Sequence, residues 1–310
     1  MRKTAFIITA MTAMAAVSCQ REQPAESPAS MQTVLFTVPV TKAGGAASGE
    51  VATLDILVFR EDGLLETYAR ASGTTVSAKV TRGVSYSWHL IANAPEGLGP
   101  LTRERDLMER LSLLSDSGAG HPVMAGSGRG LLDGPRTVPV DRIVSRVTLG
   151  GIEARFLSSS FTQSEVRLER VFLLDAVGSC PYSLEPSRGA IAYNARSLSA
   201  DLPEGVRPLL VRECGHKLTP DASTEDICLL CCPDPDGRTR LVVELSIDGE
   251  PNYYSIGLPS MSCNTEYLVR ELVLLGPGSP TPDTPVSREG VAFTVEVVPW
   301  GTQESSASFR

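Results

Sequence analysis

Histidine is scarce in this chain of 310 residues, which contains three of them. His89, His121 and His216 lie far apart, and no two have the spacing of metal ligands. The sequence also has no Gly-x-Ser-x-Gly segment that would support a serine nucleophile. The glycine-rich segment 126–130 lacks the Gly-Lys-Ser/Thr end of a phosphate-binding loop, and we predict a turn there. These absences predict a protein that is not an enzyme and that holds neither a metal nor another cofactor.

Aromatic residues and positive charge are also in short supply. Aromatics make up 5% of the sequence, and the two tryptophans are Trp88 and Trp300. The formal net charge is −8, so the chain has little to attract the phosphate backbone of a nucleic acid, which we exclude as a partner. After the N-terminal segment, no apolar run approaches the roughly 20 residues that a membrane-spanning helix needs.

The N-terminus has the layout of a secretion signal over residues 1–18. Two basic residues precede an apolar stretch at 5–17, and the segment ends in Ala-Val-Ser-Cys, with the cysteine at Cys19. This ending resembles the lipobox of bacterial lipoproteins. It predicts a lipid on Cys19 that anchors the protein to the outer membrane. Residues 19–30 are polar and rich in turn formers, which indicates a flexible tether.

Six of the seven cysteines remain free to pair if Cys19 carries the lipid. An exported protein can form disulfides, and an even number permits complete pairing. A zinc site usually shows a second spaced pair of ligands, which this sequence lacks, so buried cysteines with one or two bridges are favoured over a metal site. The pairing stays open among Cys180, Cys214, Cys228, Cys231, Cys232 and Cys263.

From residue 31 onward, short β-branched and apolar segments alternate with turn residues. The predicted strands cover 33–40, 54–59, 64–69, 74–80, 85–93, 144–149, 166–177, 241–247, 253–258, 265–275 and 291–300. Asp-Gly pairs at 62–63 and 248–249 have the chemistry of tight hairpin turns. The strand at 166–177 is predicted to pair with the one at 144–149. One helix is predicted, at 102–114, where apolar residues recur at helical spacing.

The strands fall into two series, and frequent turns with little helix indicate β-sandwiches. A mature length of about 290 residues suggests two domains of about 100–200 residues each. The predicted organisation is a signal peptide at 1–18, a tether at 19–30, an N-terminal β-sandwich domain at 31–142 and a C-terminal one at 143–310.

Several segments, taken in their order along the chain, resemble the fimbrillins of the Bacteroidia, the type V pilins that include FimA-like and minor-fimbrillin-like subunits. Besides the lipobox, they are residues 36–43, 51–63, 90–95, 121–126, 140–149, 264–267, 276–279 and 297–300. The resemblance implies two transthyretin-like Greek-key β-sandwich domains in tandem, with one short helix in the first. It also implies a structural and adhesive subunit of a surface fimbria, exported as a lipoprotein and assembled by donor-strand exchange with other fimbrial subunits.

In such pilins an arginine-specific protease removes the first strand, and a strand of the next subunit fills the groove. Carried onto this sequence, the removable strand is 33–40, and the cleavage site is Lys42-Ala43. Because this site is a lysine, two consequences stay open. Either a different trypsin-like protease cleaves here, or the strand is never released, as would suit a terminal or anchoring subunit.

The candidate donor is the last strand, 291–300, which follows a proline-rich break at 276–285. Its alternation puts four apolar residues on one face: Val291, Phe293, Val295 and Val297. The fibre's further partners would be host or bacterial surfaces.

A surface lipoprotein that binds or degrades glycans is the alternative, because the same export route and sandwich folds serve such proteins. A glycosidase needs only two carboxylates in a cleft, and the low aromatic content leaves few residues for sugar-stacking platforms.

Overall fold

The computed structural model describes residues 30–39, 51–98, 101–118, 120–161, 163–185, 192–193, 202–203, 205–218, 226–287 and 289–301. Strands predominate over these residues, which confirms the predicted mostly β fold. None of the helices in these ranges is long and apolar enough to cross a membrane.

All but one of the strands that precede residue 143 form two sheets, and the exception, at residues 111–113, pairs with a later strand. These strands are β1 (Met31–Thr37), β2 (Thr53–Arg60), β3 (Leu65–Ser72), β4 (Thr75–Thr81), β5 (Ser85–Ala92), β6 (Leu111–Leu113), β7 (Met124–Leu131), β8 (Arg136–Thr137) and β9 (Asp141–Arg142). One sheet has the order β3-β2-β5-β7-β9, and the other has the order β4-β1-β8. A helix, α1 (Glu104–Met108), lies in the connection between β5 and β6.

The strands after residue 142 form two larger sheets and two short ladders. They are β10 (Ser145–Leu149), β11 (Ile152–Ala154), β12 (Val166–Leu174), β13 (Ala176–Val177), β14 (Ser179–Pro181), β15 (Ala192–Tyr193), β16 (Val211–Lys217), β17 (Ile227–Cys231), β18 (Arg240–Ile247), β19 (Glu250–Gly257), β20 (Thr265–Leu274) and β21 (Val291–Pro299). The order is β11-β20-β10-β17 in one sheet, with β21 beside β20, and β16-β12-β18-β19 in the other. A second helix, α2 (Arg207–Leu210), precedes β16.

Strand β2 shows how the sequence builds two cores. Leu54, Ile56 and Val58 face the cluster shared with β1, β4 and β5. Leu57 and Phe59 face the opposite way, into a larger cluster that continues through β10, β12, β17, β18 and β20. A strand buried on both faces needs a continuous apolar run rather than alternation, which residues 56–59 supply.

The two strand series meet between Arg142 and Ile143. Each of the larger sheets draws its strands from one side of this point, and the ladder of β6 with β14 joins the two sides. Residues Met31–Arg310 together form one compact unit by backbone contacts. The boundary between residues 142 and 143 as a division into two domains stays a prediction.

The hairpin between β2 and β3 forms where the Asp-Gly pair predicts it. Gly63 has a φ of 76°, and the backbone N–H of Leu64 donates to Asp62 Oδ1 at 2.9 Å. Positive φ costs glycine nothing, so the chain reverses there at no steric penalty. The Asp248-Gly249 pair does the same between β18 and β19, with φ values of 53° and 91°.

Three local predictions are wrong. The helix predicted at 102–114 is α1 alone, because residues 111–113 pair as β6 with Ser179–Pro181 instead of continuing it. The helix α2, in the second series, was not predicted. The segment 126–130 belongs to strand β7 rather than to a turn. Close packing requires a glycine at position 128, because a Cβ on Gly128 would lie 2.6 Å from the Trp88 ring.

The predicted pairing of 166–177 with 144–149 is also wrong. Strand β12 lies between β16 and β18, whereas β10 lies between β17 and β20 in the other sheet. Both segments contribute to the same core, in which Val147 and Val171 are buried. The two segments therefore belong to different sheets that share a core, rather than to one ladder.

His89 gives the fold a defined response to acid. Its Nε2 lies 2.9 Å from Glu104 Oε1, and its ring packs edge-on against Phe59 at 5.9 Å. Burial lowers the pKa of His89 from 6.5, and Glu104 offsets only part of that effect. The native imidazole is therefore neutral at a pH where the unfolded chain already binds a proton.

Stability should consequently fall as the pH drops below 6.5, through the interval down to the lowered native pKa of His89. Replacing His89 by glutamine should remove that part of the pH dependence. The variant His216→Gln, at an exposed position, is measured beside it as the matched substitution. Denaturant midpoints measured from about pH 7.5 down to about pH 5 would test this. An unchanged slope in His89→Gln would contradict it.

Candidate assembly site

Strand β1 lies in the middle of its sheet and is bonded on both sides. It runs antiparallel to β4 from the pair Met31–Thr81 to the pair Thr37–Thr75, and parallel to β8 at Phe36 and Thr37. The ladder extends one residue further, since the Val38 N–H donates to the Thr74 carbonyl at 2.9 Å. Removing β1 would therefore leave two open strand edges facing each other.

The inner face of β1 fills the core of the first series. Val34, Phe36 and Val38 are each at most 1% exposed, and the Phe36 ring packs 6.2 Å from that of Trp88. On the outer face, Met31 and Leu35 are 57% and 42% exposed. The space that β1 occupies is thus a groove with an apolar floor and pockets for alternate side chains.

Strand β21 is paired on one side only among the described residues. It runs antiparallel to β20, and the register shifts between Val269 and Leu272. The apolar face predicted for it exists in the sequence but is poorly covered, because Phe293 is 39% and Val297 55% exposed. Val295, between them, is partly buried against the larger core, so the edge position leaves this face only partly covered.

The two ends of β21 are buried. Val291 is 5% exposed, and Trp300, directly after the strand, is also 5% exposed. The guanidinium groups of Arg142 and Arg146 both lie over the Trp300 ring, 4.7 and 4.9 Å from its centre. Arg146 is itself paired with the buried Glu266 at 2.6 Å. A cation over an indole ring attracts it, so these two contacts hold the end of β21.

The two terminal strands share a sequence. Residues 34–40 read Val-Leu-Phe-Thr-Val-Pro-Val, and residues 291–297 read Val-Ala-Phe-Thr-Val-Glu-Val, which are identical at five of seven positions. The shared residues include every apolar position of the alternating face. The copies differ in burial, since Phe36 is 0% exposed and Phe293 is 39% exposed. Alternation within each strand does not reveal this repeat, but an alignment of the chain with itself does.

Comparison with solved structures shows the fold to which these strands belong. A candidate cell adhesion protein from Bacteroides eggerthii is similar with a TM-score of 0.66 and 15% identity, over 88% of this chain and 97% of that one. The fimbrilin FimA from Porphyromonas gingivalis is similar with a TM-score of 0.62 and 13% identity, over 86% and 97%. The chain has the fimbrillin fold. The resemblance seen in the sequence is confirmed at that level.

A third structure with this fold is a fimbrial assembly protein from Parabacteroides distasonis, with a TM-score of 0.52 and 12% identity over 87% of this chain and 98% of that one. At the level of sequence, no family model and no curated protein matches. The relation to the fimbrillin fold is therefore carried by the arrangement of strands.

The proline-rich break before β21 is held to the body of the protein. Ser279 and Tyr253 exchange two backbone hydrogen bonds of 2.8 Å, and the Tyr254 hydroxyl donates to the Gly276 carbonyl at 2.7 Å. Arg240 donates to the Asp283 carbonyl at 2.9 Å. Release of β21 would therefore begin downstream of these contacts, close to Gly290.

The other predicted site residues lie outside the described residues, namely Cys19, Lys42 and Ala43. The two tryptophans considered for a sugar platform are both buried, with Trp88 6% and Trp300 5% exposed. Neither offers an open ring face to a glycan, which weakens the alternative function.

Proposed function

We propose that this protein is a structural and adhesive subunit of a cell-surface fimbria rather than an enzyme. Its fold supports this proposal, since proteins with the same strand arrangement include a fimbrilin and a fimbrial assembly protein. Export follows the lipoprotein route, and an acyl chain on Cys19 holds the subunit to the outer membrane before assembly. The fibre then presents the subunit to host or bacterial surfaces.

Assembly proceeds by strand exchange between copies or related subunits. Cleavage between Lys42 and Ala43 frees β1, and the groove it leaves accepts β21 of a neighbouring subunit. The repeat shared by residues 34–40 and 291–297 is the observation that carries this proposal. A strand with the same alternating side chains can occupy the same pockets in the same direction.

The difference in burial gives the exchange a direction. In its own chain β21 leaves Phe293 39% and Val297 55% exposed, while the corresponding Phe36 lies fully buried against Trp88. Burying a fully exposed phenylalanine is worth about 1.5–3 kcal/mol, and Phe293 has part of that burial still to gain. The strand therefore gains apolar burial by moving into a neighbour's groove. An intact β1 blocks this step until the chain is cleaved.

Limited trypsin treatment of the purified mature protein tests the proposal. The wild-type chain should lose the N-terminal peptide and form oligomers that light scattering detects, because the groove is then open. The variant Lys42→Gln should keep β1 and stay monomeric under the same treatment. A wild-type chain that is cut at Lys42 and remains a monomer would rule out strand exchange through this groove.

A further inference from the structure

Cys180 and Cys232 lie together in the core of the second series. Their Sγ atoms are 2.7 Å apart, and the residues are 1% and 0% exposed. Non-bonded heavy atoms make contact at roughly 3.5–4.0 Å, whereas a disulfide joins two sulfurs at about 2.05 Å. The separation is thus well inside non-bonded contact.

The backbone brings these two residues together independently of the side chains. The N–H of Cys232 donates to the Val177 carbonyl at 3.1 Å, in an antiparallel bridge between these two residues. Strand β14, which contains Cys180, begins two residues after Val177. Residues 177–180 therefore run beside the end of β17.

Cys231 and Cys263 also lie within electrostatic range of Cys180, but the close contacts of the other described cysteines are to different residues. Cys231 lies opposite Ser145 in the ladder of β10 and β17, and the Cys263 thiol donates to the Leu184 carbonyl at 3.5 Å. Cys214 donates to the Arg212 carbonyl at 3.6 Å, and the exposed Cys228 lies 3.7 Å from Thr148 Oγ1. We propose that Cys180 and Cys232 form a disulfide in the exported protein.

The reaction is a thiol–disulfide exchange with an oxidising disulfide of the export compartment, such as a dithiol oxidoreductase. One cysteine thiolate attacks the oxidant's S–S bond, and the second cysteine resolves the mixed disulfide. The Cys180–Cys232 bond forms, the oxidant's S–S bond breaks, and the oxidant leaves as a dithiol that carries the two electrons and the two protons. Burial raises the pKa of Cys232 well above its ordinary value. The bond therefore forms before folding buries these thiols, and afterwards the core shields it from reductants.

This disulfide would lie within the second series, beside the ladder of β6 and β14 that joins the two series. Strand β14 pairs with β6, and in this ladder Cys180 of β14 lies opposite Ser112 of β6. The bond therefore ties the ladder to the end of β17. It also closes the loop of residues 181–231, which includes α2 and β16. A subunit pulled through its terminal strands would then unravel less easily at this junction. The inference does not depend on strand exchange.

Peptide mapping of the exported full chain tests the assignment. The chain is unfolded in a denaturant that contains iodoacetamide, which blocks free thiols, and no reductant. It is then digested with trypsin. Residues 171–188 should be found linked to residues 218–238, in a species about 2 Da lighter than the sum of the two free peptides. Fragment ions that separate Cys231 from Cys232 should place the bond at Cys232. Alkylation of both Cys180 and Cys232, or a bond from Cys180 to Cys231 or Cys263, would overturn the proposal.

Variants add a second readout. The variants Cys180→Ala and Cys232→Ala should each have a thermal midpoint roughly 5–10 °C below that of the wild type. Reductant added to the unfolded protein should lower the midpoint of the wild type but not that of either variant. Cys228→Ala, at an exposed position, should keep both the midpoint and the linked peptides. Equal behaviour of all three variants would contradict the bond.

Discussion

Replacing Phe36 by alanine is expected to lower the free energy of unfolding of the uncleaved chain by about 3–5 kcal/mol. The side chain is fully buried in the core shared by β1, β2 and β5, and its ring packs against Trp88. Truncation leaves a cavity in the floor of the groove, which neighbours on three strands cannot fill without moving their backbones. Denaturant unfolding of the wild type and the variant would measure the loss.

The adjacent residue supplies the control. Leu35 points to the outer face of the same strand and is 42% exposed, so Leu35→Ala should cost no more than about 1 kcal/mol. The comparison holds strand, neighbours and side-chain class nearly constant and changes only the face. Equal losses for the two variants would mean that β1 does not fill a groove through its even-numbered residues.

The positions of most strands could be predicted from the sequence because the signal is local. Alternation over residues 33–40 and 74–80, and the Asp-Gly pairs at 62–63 and 248–249, are read from neighbouring residues alone. The hairpins β2–β3 and β18–β19 accordingly lie where they were predicted.

Pairings between distant strands could not be predicted in the same way. Whether residues 144–149 pair with 166–177 depends on competition with β17 and β20, which lie far along the chain. The same limit applied to residues 111–113, where pairing with β14 overrode a helical pattern. It applied to the cysteines too, because spacing does not specify which of six residues pair.

One part of the candidate site, its residue pattern, could be predicted from the sequence, and another part, its burial, could not. The alternating residues of both terminal strands, and even their shared heptapeptide, can be read from the printed chain. Their unequal burial cannot, because it follows from β1 lying inside a sheet and β21 lying at an edge. Because of this difference in burial, β1 fills the groove well and β21 is a good candidate for transfer into a neighbour's groove.

Replacing Phe293 by aspartate is expected to reduce strand-exchanged assembly at least about tenfold. In its own chain the position is 39% exposed, so a carboxylate there stays hydrated and should change monomer stability by less than about 1 kcal/mol. In a neighbour's groove the same side chain would occupy the site of Phe36, where an unpaired charge costs several kcal/mol. Since about 1.4 kcal/mol is a tenfold change in an equilibrium constant, the loss should be easy to detect.

Ala292 provides the matched control, because in the shared heptapeptide it corresponds to Leu35, on the outer face of the groove-filling strand. Ala292→Asp adds the same charge one residue away, so it should assemble like the wild type after cleavage at Lys42. Oligomer size after protease treatment and the denaturant midpoint before it would be measured for all three chains. If Phe293→Asp and Ala292→Asp assembled equally well, Phe293 would not enter the groove. If both failed while the wild type assembled, the register that places Phe293 at the Phe36 site would be wrong.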